Sequence, residues 1–215
     1  MYFASRLLAP GFGSLASCGA PAVTIEHELV SRALDGDGRA YQTLVQPHLG
    51  MLYRIATRAC GDRALAEDAV QEALTIAYQK LGRYEPGTSL KAFLAAIAVR
   101  QAQTLLRGER RRHARETGAD APQAIAGPAE ALSAERLAER VRNALAGMPK
   151  KRREVALMRL DGDLSYAEIA AQVGSTEGSA RVLVHLALRE LREKLLDVAP
   201  GAQARAAEAG ESSSA

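Results

Sequence analysis

Apolar positions recur with a helical period along most of the chain. Leu29, Val30, Ala33 and Leu34 form one side of an element whose N-cap is expected at Thr24. The run "DGDG" at 35–38 reads as a turn. From Arg39 to Cys60 the stripe resumes with Tyr41, Leu44, Val45, Leu49, Leu52, Ile55 and Ala59, and Pro47 inside it predicts a kink. Gly61 is placed to close that element, and Asp62 to cap the next. The stretch that follows is two-faced. Val70, Leu74, Ala77 and Leu81 make a core stripe, while Asp68, Gln71, Glu72, Thr75 and Gln79 make a polar one. After a loop at 85–89, Thr88 or Ser89 is expected to cap a long helix carrying Leu90, Phe93, Leu94, Ile97, Ala98 and Leu105. That helix runs into "RGERRRHAR" at 107–115, the densest basic run in the chain.

The pattern then stops. "ETGADAPQAIAGPAEAL" at 116–132 is small and polar with two prolines, the composition of a flexible linker. Leu137, Val141 and Leu145 mark a further helix over 133–146. Beyond it, Ser165 followed by Glu168 has the capping-box spacing, in which the hydroxyl and the carboxylate each satisfy an amide at the helix start. Ile169, Ala170 and Val173 face inward, Gly174 suits a left-handed helix end, and Ser175 or Thr176 is placed to cap a second helix led by Glu177. Helix, glycine turn and second capped helix in register is the helix-turn-helix pattern. The organisation expected is a disordered extension over 1–23, a helical domain over 24–115, the linker, a helix-turn-helix domain over 133–198 and a disordered tail over 199–215.

Composition supports an all-α chain of two helical domains. Apolar residues are 47% of the 215, aromatics only 4%, tryptophan is absent, and no alternating β-branched runs occur. The net charge of +3 says little about nucleic acid, whereas the local basic runs say more. Cys18 and Cys60 stand far apart with no CxxC pair and no histidine at metal-ligand spacing, so both read as reduced thiols in a cytoplasmic protein, with no metal and no cofactor. No apolar run reaches the roughly 18–20 residues that span a bilayer. The opening "MYFASRLLAPGFGSLASCGAP" makes a poor secretory signal, because Pro10, Gly11 and Gly13 break its apolar part; it reads as an irregular extension or as a start codon placed too early. His27, His48, His113 and His185 are scattered, and neither a Ser/His/Asp set nor a Gly-rich phosphate loop is present, which argues against an enzyme.

The segment "MPKKRREVALMRLDGDLSYAEIAAQVGSTEGSARVLVHLALRELREKL" resembles region 4 of the extracytoplasmic-function (ECF) class of bacterial RNA polymerase sigma factors. The segment "DRALAEDAVQEALTIAYQKLGRYEPGTSLKAFLAAIAVRQAQTLLRGERRR", with "AEDAVQE" at its heart, resembles region 2 of the same class. Two distinct segments in the right order carry far more weight than one helix-turn-helix.

The resemblance implies that this chain binds core RNA polymerase and directs it to promoters. It implies that Asp68, Gln71 and Glu72 dock on a helical coiled coil of the largest polymerase subunit. It places Tyr84, Lys91, Arg100, Gln101 and Arg107 against the downstream (−10) promoter element, where the loop at 82–89 would help hold a flipped base. Arg110, Arg111 and Arg112 suit phosphate contacts there. Phe93 stands where the class usually has tryptophan, and Gln101 where asparagine is common. Ser175, Thr176, Glu177, Ser179, Arg181, His185 and Arg189 are implied for the upstream (−35) element, with Lys150, Lys151, Arg152 and Arg153 adding phosphate contacts. Leu183, Leu186 and Leu188 occupy positions the class usually fills with basic residues, so upstream recognition is expected to be weaker or unusual. Arg181, His185, Arg189 and Arg192 keep a basic stripe on one face.

A flexible strap of roughly 19 residues, the linker with its junctions, has an expected r.m.s. span of about 24 Å and reaches about 65 Å when stretched. That is enough to hold two promoter elements more than one DNA turn, about 34 Å, apart. Without polymerase the same freedom lets the domains fold together or clamp a regulator, and the class implies an anti-sigma factor. Two other readings fit the residues: a helix-turn-helix regulator acting without polymerase, and an interaction protein of sigma ancestry that has lost upstream recognition.

Overall fold

A computed structural model describes residues 22–85, 88–117 and 131–196. Among them every regular element is helical. The first half holds α1 (Ala22–Leu34), α2 (Gly38–Val45), α3 (Leu49–Cys60), α4 (Arg63–Gln79) and α5 (Leu90–Thr117). The second holds α6 (Ala131–Ala146), α7 (Lys150–Leu160), α8 (Tyr166–Val173) and α9 (Glu177–Leu196). Cys18, residues 1–21 of the expected N-terminal extension, the expected tail over 199–215 and 118–130 of the expected linker lie outside the described residues, whereas residues 22–23 already belong to α1.

Local chemistry accounts for most boundaries. Asp37 caps α2 by accepting from the amides of Arg39 and Ala40, and Asp62 caps α4 through Leu65. Gly61 ends α3 at φ 78°, a left-handed conformation that glycine adopts without strain. The helix expected over 39–60 is in fact two. Pro47 sits in a 3₁₀ turn, Gln46–His48, between α2 and α3, because proline has no N–H to continue the α-helical ladder. The first helix already runs from Ala22, so Thr24 lies inside it rather than at its cap. Ser89, not Thr88, caps α5 by accepting the Ala92 amide at 3.1 Å. Helical structure also reaches into both ends of the expected linker, to Thr117 and from Ala131.

Val70, Leu74, Ala77 and Leu81 are all buried, as their spacing requires. They pack with Leu52 and Ile55 of α3 and with Leu94, Ala95 and Val99 of α5 in the core of the first half. Tyr41 donates its hydroxyl to the Leu74 carbonyl at 2.6 Å and meets Tyr78 edge-on, with centroids 5.0 Å apart. Cys60 is a free, half-buried thiol whose pKa burial pushes up to about 11. In the second half Val155, Leu157, Met158, Leu164, Ile169, Ala180 and Val184 form the core that holds α7, α8 and α9 together.

The two halves pack on each other directly. Helix α5 lies against α7 and α8, and α3 against α6 and α7. At Gly61 an added Cβ would come within 2.4 Å of the Arg142 side chain, a measure of how closely α6 crosses the end of α3.

Candidate nucleic-acid interface

Helix α4 presents Asp68, Gln71 and Glu72 together on its exposed side, opposite the buried stripe. Thr75 and Gln79 continue that exposed strip.

The residues expected at the −10 element are divided. Tyr84 is buried, 6% exposed, with its ring tilted against Phe93 at 5.5 Å. Its hydroxyl donates to Glu26 Oε1 at 2.5 Å and lies 3.0 Å from the Thr88 carbonyl. Burial and that carboxylate push its pKa well above the ordinary tyrosine value. Here Tyr84 braces the loop against α1, and reaching a base would require the loop to open. The reason is simple: a phenol beside an apolar ring and a carboxylate is better satisfied inside than in water. Phe93 is half-buried against the core.

Lys91 and Arg100 point at the second half of the molecule. Lys91 Nζ donates to the Asp163 carbonyl at 2.9 Å, and Arg100 Nη2 to the Gln172 carbonyl at 2.8 Å. Ser89 Oγ donates to Glu168 Oε1 at 2.5 Å. Gln101 is half-buried. Arg107 is exposed and donates to Gln103 O one turn back at 3.0 Å. Arg111 is exposed, and Arg112 pairs with Glu109. The side chain of Arg110 lies outside the described residues.

The helix-turn-helix forms as its caps dictate. Ser165 accepts the Glu168 amide at 3.2 Å while Glu168 Oε2 accepts the Ser165 amide at 2.7 Å, a complete capping box. Gly174 turns the chain at φ 64°. Thr176, rather than Ser175, caps α9, its Oγ1 accepting the Ser179 amide at 3.2 Å. Ser175 instead donates to the Thr176 carbonyl at 3.4 Å.

Along α9, Ala180, Val184, Ala187 and Leu191 are buried. Leu183 and Leu188 flank that stripe and are half-buried against the core, while Leu186 is half-exposed. Leu183 and Leu188 therefore serve packing. Arg181, His185, Arg189 and Arg192 are exposed on the other side. Arg181 is held by Glu177 at 3.1 Å and stacks 5.2 Å from the Tyr166 ring centre, whose other guanidinium neighbour, Arg159, lies at 5.1 Å. Arg189 pairs with Glu193 at 3.5 Å. In the preceding cluster, Arg152 pairs with Glu190 at 2.9 Å, and Arg153 donates to the carbonyls of Ala146 and Met148. Lys150 lies 3.9 Å from Glu154, and Lys151 is exposed. Arg152 and Arg153, expected on phosphates, thus act inside the fold.

Sequence reasoning missed the residues that join the halves. Arg58 Nε stands 2.7 Å from Asp161 Oδ2, and Arg54 Nη2 3.4 Å from the Asp161 carbonyl. Asp161 is the C-cap of α7, and Gln172 lies in the last turn of α8. Three basic side chains of the first half therefore sit at the negative ends of two helices of the second. No linear motif announces this, because each partner is about a hundred positions away or one domain distant. Among the described residues no cluster of His, Cys, Asp or Glu could hold a metal, and no helix is long and apolar enough to cross a membrane.

Comparison with known proteins agrees with this arrangement. Residues 44–112 match the Sigma-70 region 2 family and residues 138–191 the Sigma-70, region 4 family. The ECF RNA polymerase sigma factor SigD of Mycobacterium tuberculosis is 30% identical over 82% of this chain and 88% of its own. RNA polymerase sigma factor CarQ of Myxococcus xanthus is 33% identical over 77% of this chain and 95% of its own. Among solved structures, the sigma factor RpoE in complex with the anti-sigma factor NepR from Bartonella quintana aligns with a TM-score of 0.54 and 25% identity, covering 72% of this chain and 96% of that one. With both conserved regions present in order, on a fold whose caps and core explain them, the chain belongs to the ECF family of bacterial RNA polymerase sigma factors, which direct polymerase to promoters.

Proposed function

We propose that this sigma factor rests in a closed form in which its polymerase-docking face is open and its −10 surface is covered by its own helix-turn-helix domain. The observation that carries the reading is the pair of bonds from Lys91 and Arg100 to the carbonyls of Asp163 and Gln172. Both cations occupy helix-end or turn carbonyls in place of DNA phosphates. Asp68, Gln71 and Glu72 are exposed in this form. Docking of those three on the largest-subunit coiled coil comes first. Separation of the halves then frees Lys91, Arg100, Gln101 and Arg107 for the −10 element, with Arg110, Arg111 and Arg112 on phosphates. Helix α9 takes the −35 element through Ser179, Arg181, His185 and Arg189, with Ser175, Thr176 and Glu177 at its start. The chain works in the cytoplasm, performs no covalent chemistry of its own and needs no cofactor.

Control by an anti-sigma factor fits the same geometry. The related RpoE is bound by NepR, and a protein that clamps the two halves here would hold the cations where they already are. Run-off transcription with purified core polymerase on a genomic promoter library tests the function. Initiation at a defined set of sites is expected. Stable promoter-specific binding by the isolated chain, with no gain on adding polymerase, would instead favour a regulator that acts alone.

A further inference from the structure

We propose that Val182 is a specificity-determining residue of the −35 contact and reads the C5-methyl of one thymine in the major groove. The inference rests on the reading of α9 as the upstream DNA helix.

Val182 lies opposite the buried stripe of Ala180, Val184, Ala187 and Leu191, at the centre of the outward face, and is 58% exposed. It has no folding reason to be valine. An exposed helix position favours alanine or a long charged side chain, because a β-branched residue loses χ1 freedom against the preceding turn. A duplex-facing position further favours a cation for phosphate.

Its surroundings fit a base edge. Val182 stands in the second turn of α9, and residues near the start of a recognition helix contact base edges. Gly178, one turn before it, has open space where a side chain would be. Arg181 is drawn aside by Glu177 and Tyr166, and Arg189 by Glu193. Gly178 and Leu186, one turn before and one turn after Val182 on this face, carry no charge, and Arg181 and His185 lie to one side of it, placed to engage the backbone. An apolar branched side chain offers a base no hydrogen bond, and the feature of the major groove it can recognise is the thymine methyl. Stiffness then helps, since its two methyls are already fixed before binding.

The test uses holoenzyme assembled from core polymerase and the full chain, on a promoter it initiates from, with each upstream thymine replaced singly by deoxyuridine. Uracil pairs as thymine does and lacks only the methyl. At one position the wild type is expected to lose about fourfold in promoter affinity, the equivalent of one buried methyl. Val182→Ala should lose that sensitivity while retaining core polymerase in pull-downs, and Val182→Thr, which keeps one γ-methyl, should retain part of it. Indifference of the wild type to uracil at every thymine overturns the inference. An unchanged uracil pattern in Val182→Ala does so too, including the case where the variant instead loses capture of another protein. If no unmodified template supports initiation, the reading of α9 as a promoter helix fails together with this one.

Discussion

The Arg58 guanidinium Nε stands 2.8 and 2.7 Å from the two carboxylate oxygens of Asp161, joining α3 of the first half to the end of α7 in the second. The Asp161 side chain is 3% exposed and that of Arg58 39%. Burial pushes the Asp161 pKa up even with the arginine beside it, so desolvation outweighs the attraction. A carboxyl raised in the closed form contributes most to closure when protonated, and that contribution falls as pH rises through its raised value. The pair therefore specifies how the halves meet more than it glues them.

An asymmetry follows. Arg58→Ala leaves a buried carboxylate unpaired and is expected to cost about 1–2 kcal/mol of closure, discounted from the fully buried case because Arg58 is partly in water. Asp161→Asn resembles the protonated form and should cost less than about 0.5 kcal/mol. Distance measurements between spin labels on α4 and α9 would show a longer component in Arg58→Ala and little change in Asp161→Asn. Equal effects would contradict this account.

Asp68 and Glu72 are exposed and offer nothing to the fold's interior. The double change to arginine should leave the melting curve within about 0.5 kcal/mol of wild type. Co-purification with core polymerase should be lost. Retention of polymerase by a folded double variant would remove the docking assignment.

The capping box makes a pH-dependent contribution with a definite sign. Burial alone would raise the Glu168 pKa, but bonds from the Ser89 hydroxyl and from the Ser165 amide and hydroxyl outweigh it and bring it below the ordinary value of 4.5. A carboxylate lowered in the native state supplies its full contribution above that ordinary value and loses it as pH falls through the lowered one. Carboxyl-carbon NMR of Glu168 should titrate below the free-glutamate range, and Glu168→Gln should remove this part of the acid transition. Ser165→Ala should destabilise by about 1 kcal/mol at neutral pH, read by thermal melting.

Phosphate contacts on α5 are expected to show in salt dependence. Arg111 is exposed near the C-terminal end of the helix. Arg111→Ala should reduce the slope of log affinity against log salt by about 0.9 for holoenzyme on duplex promoter. Arg112→Ala should reduce it less, because Glu109 already pairs with that guanidinium. An unchanged slope in Arg111→Ala would place the residue off the DNA backbone.

Much of this molecule was written in the order of its residues, because helix periodicity, caps and turns are set by neighbours within a few positions. Val70, Leu74, Ala77 and Leu81 are buried where their spacing put them, Gly61 and Gly174 are left-handed, and Ser165 and Glu168 close their box. The family, too, could be recognised from two local segments. What the linear order could not reveal is which polar side chain finds which distant partner. Lys91 and Arg100 look alike whether they face DNA or the carbonyls of Asp163 and Gln172. Tyr84 could be a base contact or a brace for Glu26, and Arg152 a phosphate ligand or the partner of Glu190. Nor does periodicity alone say that Leu183 and Leu188 pack inward while Val182 stands in the open. Those choices belong to the folded chain, where packing decides which groups are stripped of water and a charge settles wherever the nearest carbonyl or carboxylate repays that loss.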